Sequence, residues 1–126
     1  MENLYLAPSF DTPEVSFDFE NGRLKLCGRS ILDGSVEFYK RLNKWIDDYC
    51  IQPKANTIVE VKFDYFNTSS SKCLLTIFKK LERLNSDVSG VEIHWVHRED
   101  DIDMLEAGED FKAIISLPFI IISSLD

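Results

Sequence analysis

Basic residues are in short supply in this chain. Fourteen lysines and arginines face 22 aspartates and glutamates, a formal net charge of −8. The cations are scattered and form no basic stripe, so a nucleic-acid partner is not expected. An anionic membrane surface finds no anchor for the same reason. The acidity favours solubility and would suit a basic patch on a partner. Cysteine is scarce as well. Cys27, Cys50 and Cys73 lie far apart with no Cys-x-x-Cys pair, which argues against a structural zinc site. Each sits in or beside an apolar pattern, where a reduced cysteine packs as a small hydrophobe. Long apolar runs are missing. No basic region followed by an apolar stretch opens the chain, so no secretory signal is expected. The apolar cluster at 118–122 is too short to cross a bilayer. The expectation is a cytoplasmic protein of the reducing compartment, 126 residues long and organised as a single domain.

What is present is periodic. Val15, Phe17 and Phe19 alternate with polar residues, then Asn21-Gly22 intervenes, then Leu24 and Leu26 alternate with Lys25. Asn-Gly between two alternating runs signals a β-hairpin. Thr12-Pro13 marks its entry, and a short extended segment at 4–7 precedes it. Asp33-Gly34-Ser35 offers a turn and a cap. Phe38, Leu42, Trp45, Ile46 and Tyr49 then form an apolar helical stripe running to about Cys50. Val59, Val61, Phe63 and Tyr65 alternate with Glu60, Lys62 and Asp64 as a half-buried strand. Leu74, Ile77, Phe78, Leu81 and Leu84 recur at helical spacing. Val91, Ile93 and Trp95 make another strand. A third helix is expected from about Asp101 to Lys112, and Phe119 to Ile122 form a last strand after Pro118. The order β-β-α-β-α-β-α-β implies an α/β fold, a mixed sheet with helices packed on it.

The strand ending near Phe66 and the helix after it are joined by Asn67-Thr68-Ser69-Ser70-Ser71-Lys72. Hydroxyls therefore gather where a strand stops and a helix starts. That position has unpaired backbone N–H groups and the positive end of a helix dipole. Two readings follow from residue chemistry. One is plain capping, since Ser, Thr and Asn are the usual N-caps. The other is a site that holds a phosphate or whose hydroxyl accepts one. The run contains no glycine, so it is not a P-loop. It lacks Gly-x-Ser-x-Gly, so it is not a hydrolase elbow. Lys72 follows Thr68 by four residues, which puts the two side chains on one helical face.

Other clusters carry less. His94 and His97 are three apart on a strand and should point to opposite faces, so they cannot easily share a metal. Glu99, Asp100, Asp101, Asp103 and Glu106 suit the first turn of a helix, or a docking surface for a basic partner; the spacing of a calcium loop is absent. No carboxylate pair, Cys–His pair or Ser–His–Asp set can be proposed from spacing. A small hydrolase with a Ser or Thr nucleophile would lack a visible base. The chain offers an acceptor hydroxyl and no catalytic apparatus, which suggests a protein that is modified rather than one that modifies.

Several segments together resemble one family. Thr12-Pro13-Glu14-Val15, Gly28-Arg29-Ser30, Phe38-Tyr39-Lys40, the run from Tyr65 through Asn67-Thr68-Ser69-Ser70 to Lys72, Trp95, and Asp103-Met104-Leu105-Glu106-Ala107-Gly108-Glu109-Asp110-Phe111 are similar to the SiaC family of bacterial regulatory phosphoproteins. The resemblance implies a fold similar to the STAS domains of anti-sigma-factor antagonists. It implies phosphorylation on Thr68, with Asn67, Ser69, Ser70, Ser71 and Lys72 beside it at a partner interface. It further implies an ATP-dependent protein kinase, a PP2C-like phosphatase, and a diguanylate cyclase that the unphosphorylated form binds and stimulates, raising cyclic di-GMP and favouring biofilm. No cofactor is implied. The alternative is a partner-switching antagonist that sequesters a kinase or anti-sigma-type factor to control transcription, an analogy at the level of fold.

Overall fold

In the computed structural model, residues 1–31, 33, 37–85 and 89–126 are described. Gly34 and Ser35 of the expected turn and cap lie outside these residues. The elements run β1 (Leu4–Leu6), β2 (Glu14–Asp18), β3 (Arg23–Ser30), α1 (Glu37–Tyr49), β4 (Asn56–Phe66), α2 (Thr68–Glu82), β5 (Gly90–Arg98), α3 (Ile102–Ile114) and β6 (Phe119–Ser124). The extended segment near the N-terminus is thus a strand in its own right. The remaining eight elements follow the expected order.

The six strands form one sheet in sequence order, β1 to β6. β1, β2 and β3 pair antiparallel. β3, β4, β5 and β6 pair parallel. Each parallel step needs a crossover helix. Crossovers of one hand that always advance in the same direction leave their helices on the same face. Burial shows the consequence. Val59, Val61, Phe63, Val91, Ile93 and Trp95 are buried in one core with Leu42 and Ile46 of α1, Leu74 and Phe78 of α2, and Phe111 of α3. Their neighbours Ile58, Glu60, Lys62, Glu92, His94 and Val96 are half-exposed on the other face.

The hairpin is longer than a two-residue turn. Asp18 pairs with Arg23, so four residues, Phe19 to Gly22, make the loop. The Asp18 carboxylate organises it, accepting from the side chain of Asn21 at 2.7 Å and from the Glu20 and Asn21 backbone N–H groups at 3.0 and 3.2 Å. Gly22 ends the loop with φ +65, and a Cβ there would sit 2.3 Å from the Asn56 carbonyl oxygen. Glycine is required on both counts.

One strand departs from simple alternation. Gly28 pairs with Phe63, but Arg29 pairs with Tyr65, which leaves Asp64 as an extra residue in β4. Such a bulge reverses the facing of everything after it. Tyr65, expected among the inward residues, is instead 51% exposed. Phe66 takes the inward place, with its ring centroid 5.7 Å from Phe63, 5.9 Å from Trp95 and 6.4 Å from Phe111.

Candidate functional site

The bulge delivers the chain into α2, and Asn67 starts that helix. Its backbone is extended (φ −97, ψ 179), and its side-chain oxygen accepts from the Ser70 N–H at 3.0 Å. The capping expectation is therefore met by Asn67, which leaves the hydroxyls after it free of that duty. They do not share one environment. Thr68 is exposed, Ser69 and Ser71 are half-buried, Ser70 is fully buried and Lys72 is exposed. Within the hydroxyl run, exposed Thr68 and buried Ser70 are two places apart, which on a helix turns them to opposite faces.

Ser70 is tied inward. Its hydroxyl donates to the Ser30 carbonyl at 2.8 Å and lies 2.6 Å from the Ser30 hydroxyl. Ser30 in turn lies 2.7 Å from the Tyr39 hydroxyl. The Ser30 carbonyl also accepts from the Asn67 N–H at 3.1 Å. The end of β3 and the start of α2 are thus stitched together through Ser30. Burial pushes the Tyr39 phenol up to about 12, partly offset by its contact with Ser30, so it is a neutral hydroxyl at physiological pH. The expectation that Ser70 takes part in a partner interface does not fit this geometry, because its side chain faces the core. Asn67, Thr68, Ser69, Ser71 and Lys72 remain at or near the surface.

The electrostatics of the start of α2 are open. Its first turn carries no acidic residue. α1 has Glu37 in its first turn. α3 has Asp103 there and Asp101 as its cap, the Asp101 carboxylate accepting from the Met104 N–H at 3.0 Å. α2 begins on neutral hydroxyls, so the positive end of its dipole has no carboxylate of its own.

Beside this turn, a cleft of about 220 Å³ runs between α2 and α3. Phe66, Ser71 and Leu75 form one wall, and Ala107, Asp110 and Ile114 the other. A cleft of about 350 Å³ lies at the opposite end of the sheet, around Asn56, Asn85, Gly90 and Pro118. Among the described residues it collects no nucleophile with a base. His94 and His97 point to opposite faces of β5, as alternation predicts: His94 Nε2 meets Glu92 at 3.0 Å, while the buried His97 donates from Nδ1 to the Arg98 carbonyl at 2.8 Å. Among the described residues no group of three or more His, Cys, Asp and Glu side chains could hold a metal ion. No helix among them is long and apolar enough to cross a membrane.

Sequence reasoning gave Ser30 and Tyr39 no role of their own. Tyr39, Leu42, Ile46 and Tyr49 are all fully or almost fully buried, at helical spacing, and that spacing could have found Tyr39 in place of Phe38. Nothing local marks Ser30, whose partner Ser70 is 40 residues away.

Four similarities to known proteins concern the chain as a whole. The family model described as SiaC family regulatory phosphoprotein matches residues 6–124. An uncharacterized protein of Pseudomonas aeruginosa (strain UCBPP-PA14) is 26% identical over 121 residues, 96% of each chain. Among solved structures, SiaC of Pseudomonas aeruginosa superposes with a TM-score of 0.89 at 25% identity, over 98% of this chain and 100% of that one. A chain in the crystal structure of the Pseudomonas aeruginosa diguanylate cyclase SiaD in complex with its activator SiaC matches with a TM-score of 0.89 at 25% identity, over 96% of this chain and 99% of that one.

Proposed function

We propose a function from one premise: this chain belongs to the SiaC family of regulatory phosphoproteins. On our reading it is a non-catalytic messenger of the cytoplasm. Its unphosphorylated form binds and stimulates a diguanylate cyclase. An ATP-dependent protein kinase places a phosphate on Thr68 and ends that association, and a PP2C-like phosphatase restores it.

The observation that carries this reading is the position of Thr68. It is the first residue of α2, exposed, just past a cap that Asn67 already provides. A phosphate brings about −1.5 to −2 charges. At a helix N-terminus whose first turn carries no acidic residue, a negative charge is favourable by about 0.3–1 kcal/mol. The fold should therefore tolerate the modification. An interface packed around a neutral threonine should not, since burying an unpaired charge costs several kcal/mol, on the order of 3 or more. The phosphate is thus expected to release the effector and leave the messenger folded. The cyclase is supported as effector by the SiaD complex of the relative, in which SiaC is the activator.

Calorimetric titration of variants against the diguanylate cyclase of the same cell tests the reading. Thr68→Ala should retain binding and lose phosphate acceptance. Thr68→Asp should bind more weakly by at least about threefold, with little change in melting temperature; a carboxylate carries less charge than a phosphate ester. Equal binding by Thr68→Asp and wild type would count against exclusion by charge.

A further inference from the structure

The three buried hydroxyls form a relay with a fixed direction. Ser70 has one hydroxyl proton, and a carbonyl can only accept, so that proton goes to Ser30 O at 2.8 Å. The 2.6 Å contact between the Ser30 and Ser70 hydroxyls must then use the Ser30 proton. The 2.7 Å contact between Tyr39 and Ser30 must use the Tyr39 proton. Tyr39 donates to Ser30, Ser30 to Ser70, and Ser70 to the backbone of Ser30. Every hydroxyl proton is committed, and all three residues are fully buried. The relay joins α1, β3 and the first turn of α2. The same Ser30 carbonyl receives the Asn67 N–H, so it holds both the cap residue and the residue three places after it.

We propose that Tyr39, Ser30 and Ser70 are positioning residues for the Thr68 hydroxyl. This positioning role rests on the reading of Thr68 as phosphate acceptor, and it assigns a reason for the choice of site. Position 70 is turned inward with its oxygen occupied, which fixes the rotation of the first turn of α2. Position 68 is thereby turned outward. Ser69 and Ser71 are left half-buried at its sides. A run of four hydroxyls becomes a site with one fully presented acceptor.

The test uses the full chain expressed in its native cell, as wild type, Tyr39→Phe and Ser70→Ala. Fragment mass analysis reads which hydroxyl carries phosphate. Residue-resolved amide exchange reads the first turn of α2 through Ser70 and Ser71, with Val61 of β4 as the reporter of global unfolding. Tyr39→Phe keeps the ring and removes only the first donor, so it serves even where Ser70→Ala fails to fold. The expected result is phosphate confined to Thr68 in wild type and spread to Ser69 or Ser71 in Tyr39→Phe. First-turn exchange should rise about fivefold, the loss of one net hydrogen bond, and by more than any rise at Val61. Phosphate confined to Thr68 in wild type and in the variants alike, with Ser70 and Ser71 exchanging no faster relative to Val61, would overturn the positioning role and leave the acceptor reading intact. No phosphate on Thr68 in wild type would overturn both, whatever the exchange shows.

Discussion

At the scale of residues, neighbours in sequence have opposite duties. Thr68 and Ser70 are both small hydroxyls two places apart, yet one is exposed and the other fully buried and bonded. Gly108 shows the same separation of duties in α3. It lies in the Glu106-Ala107-Gly108-Glu109-Asp110-Phe111 segment that marks the family resemblance, and its role is packing. A Cβ at Gly108 would lie 2.4 Å from Trp95 Cδ1. Trp95 cannot yield easily, being fully buried with its indole N–H donated to the Met104 carbonyl at 2.9 Å. Alanine would gain about 1 kcal/mol in helix propensity. Overpacking against a fixed indole costs about 1–3 kcal/mol, and this contact belongs at the upper end. Gly108→Ala should therefore destabilise by a net ~1–2 kcal/mol, read as a lower denaturant midpoint with an unchanged slope; a midpoint equal to wild type would show that α3 shifts freely away from β5.

At the scale of elements, α2 is held at both ends. Its first turn is tied to Ser30, and its last turn is latched to α3 and the loop after it. Lys79 donates to the Ile114 carbonyl at 3.1 Å, capping the end of α3. Glu82 accepts from the Ser116 backbone N–H and pairs with Lys79 at 3.3 Å. The Ser116 N–H, and then Lys79, hold the Glu82 carboxyl below its ordinary value of 4.5. A carboxyl depressed in the folded state contributes stability above its unfolded pKa and loses it as pH falls through the folded one. The stability gap between wild type and Glu82→Gln should thus be widest near neutral pH and narrow below about pH 4.5. Thermal melts of both proteins between pH 7 and pH 3 check this; a gap independent of pH would contradict the latch. The elements themselves were largely legible in sequence, because β2 to β5 show a period of two and α1 and α2 one of 3.6. What was not legible was the bulge at Asp64. Val59 to Tyr65 reads as one alternating strand, and only pairing with Gly28 and Arg29 reveals the extra residue. Since that residue decides whether Tyr65 or Phe66 enters the core, the surface beside Thr68 could not be drawn from local pattern.

At the scale of the molecule, sequential strand order leaves the helices on one side and gathers the starts of α2 and α3 at the same end of the sheet, where the parallel strands β4 and β5 stop. Thr68 stands at that end, on a helix fixed to β3, α1 and α3, so a charge added there meets a braced scaffold. The location of the hydroxyl run at a strand–helix junction was readable from periodicity alone. The division of labour within it was not, because it depends on Ser30 and Tyr39, brought there by tertiary packing. The most direct measurement is a titration of the diguanylate cyclase with the chain carrying phosphate on Thr68 alone, beside the unmodified chain, with the melting temperature of each recorded. The expected result is at least a tenfold loss of affinity, about 1.4 kcal/mol, with both forms melting cooperatively within a few degrees of each other. Equal affinity of the two forms, or a phosphorylated chain that no longer melts cooperatively, would contradict a switch that acts on association and spares the fold.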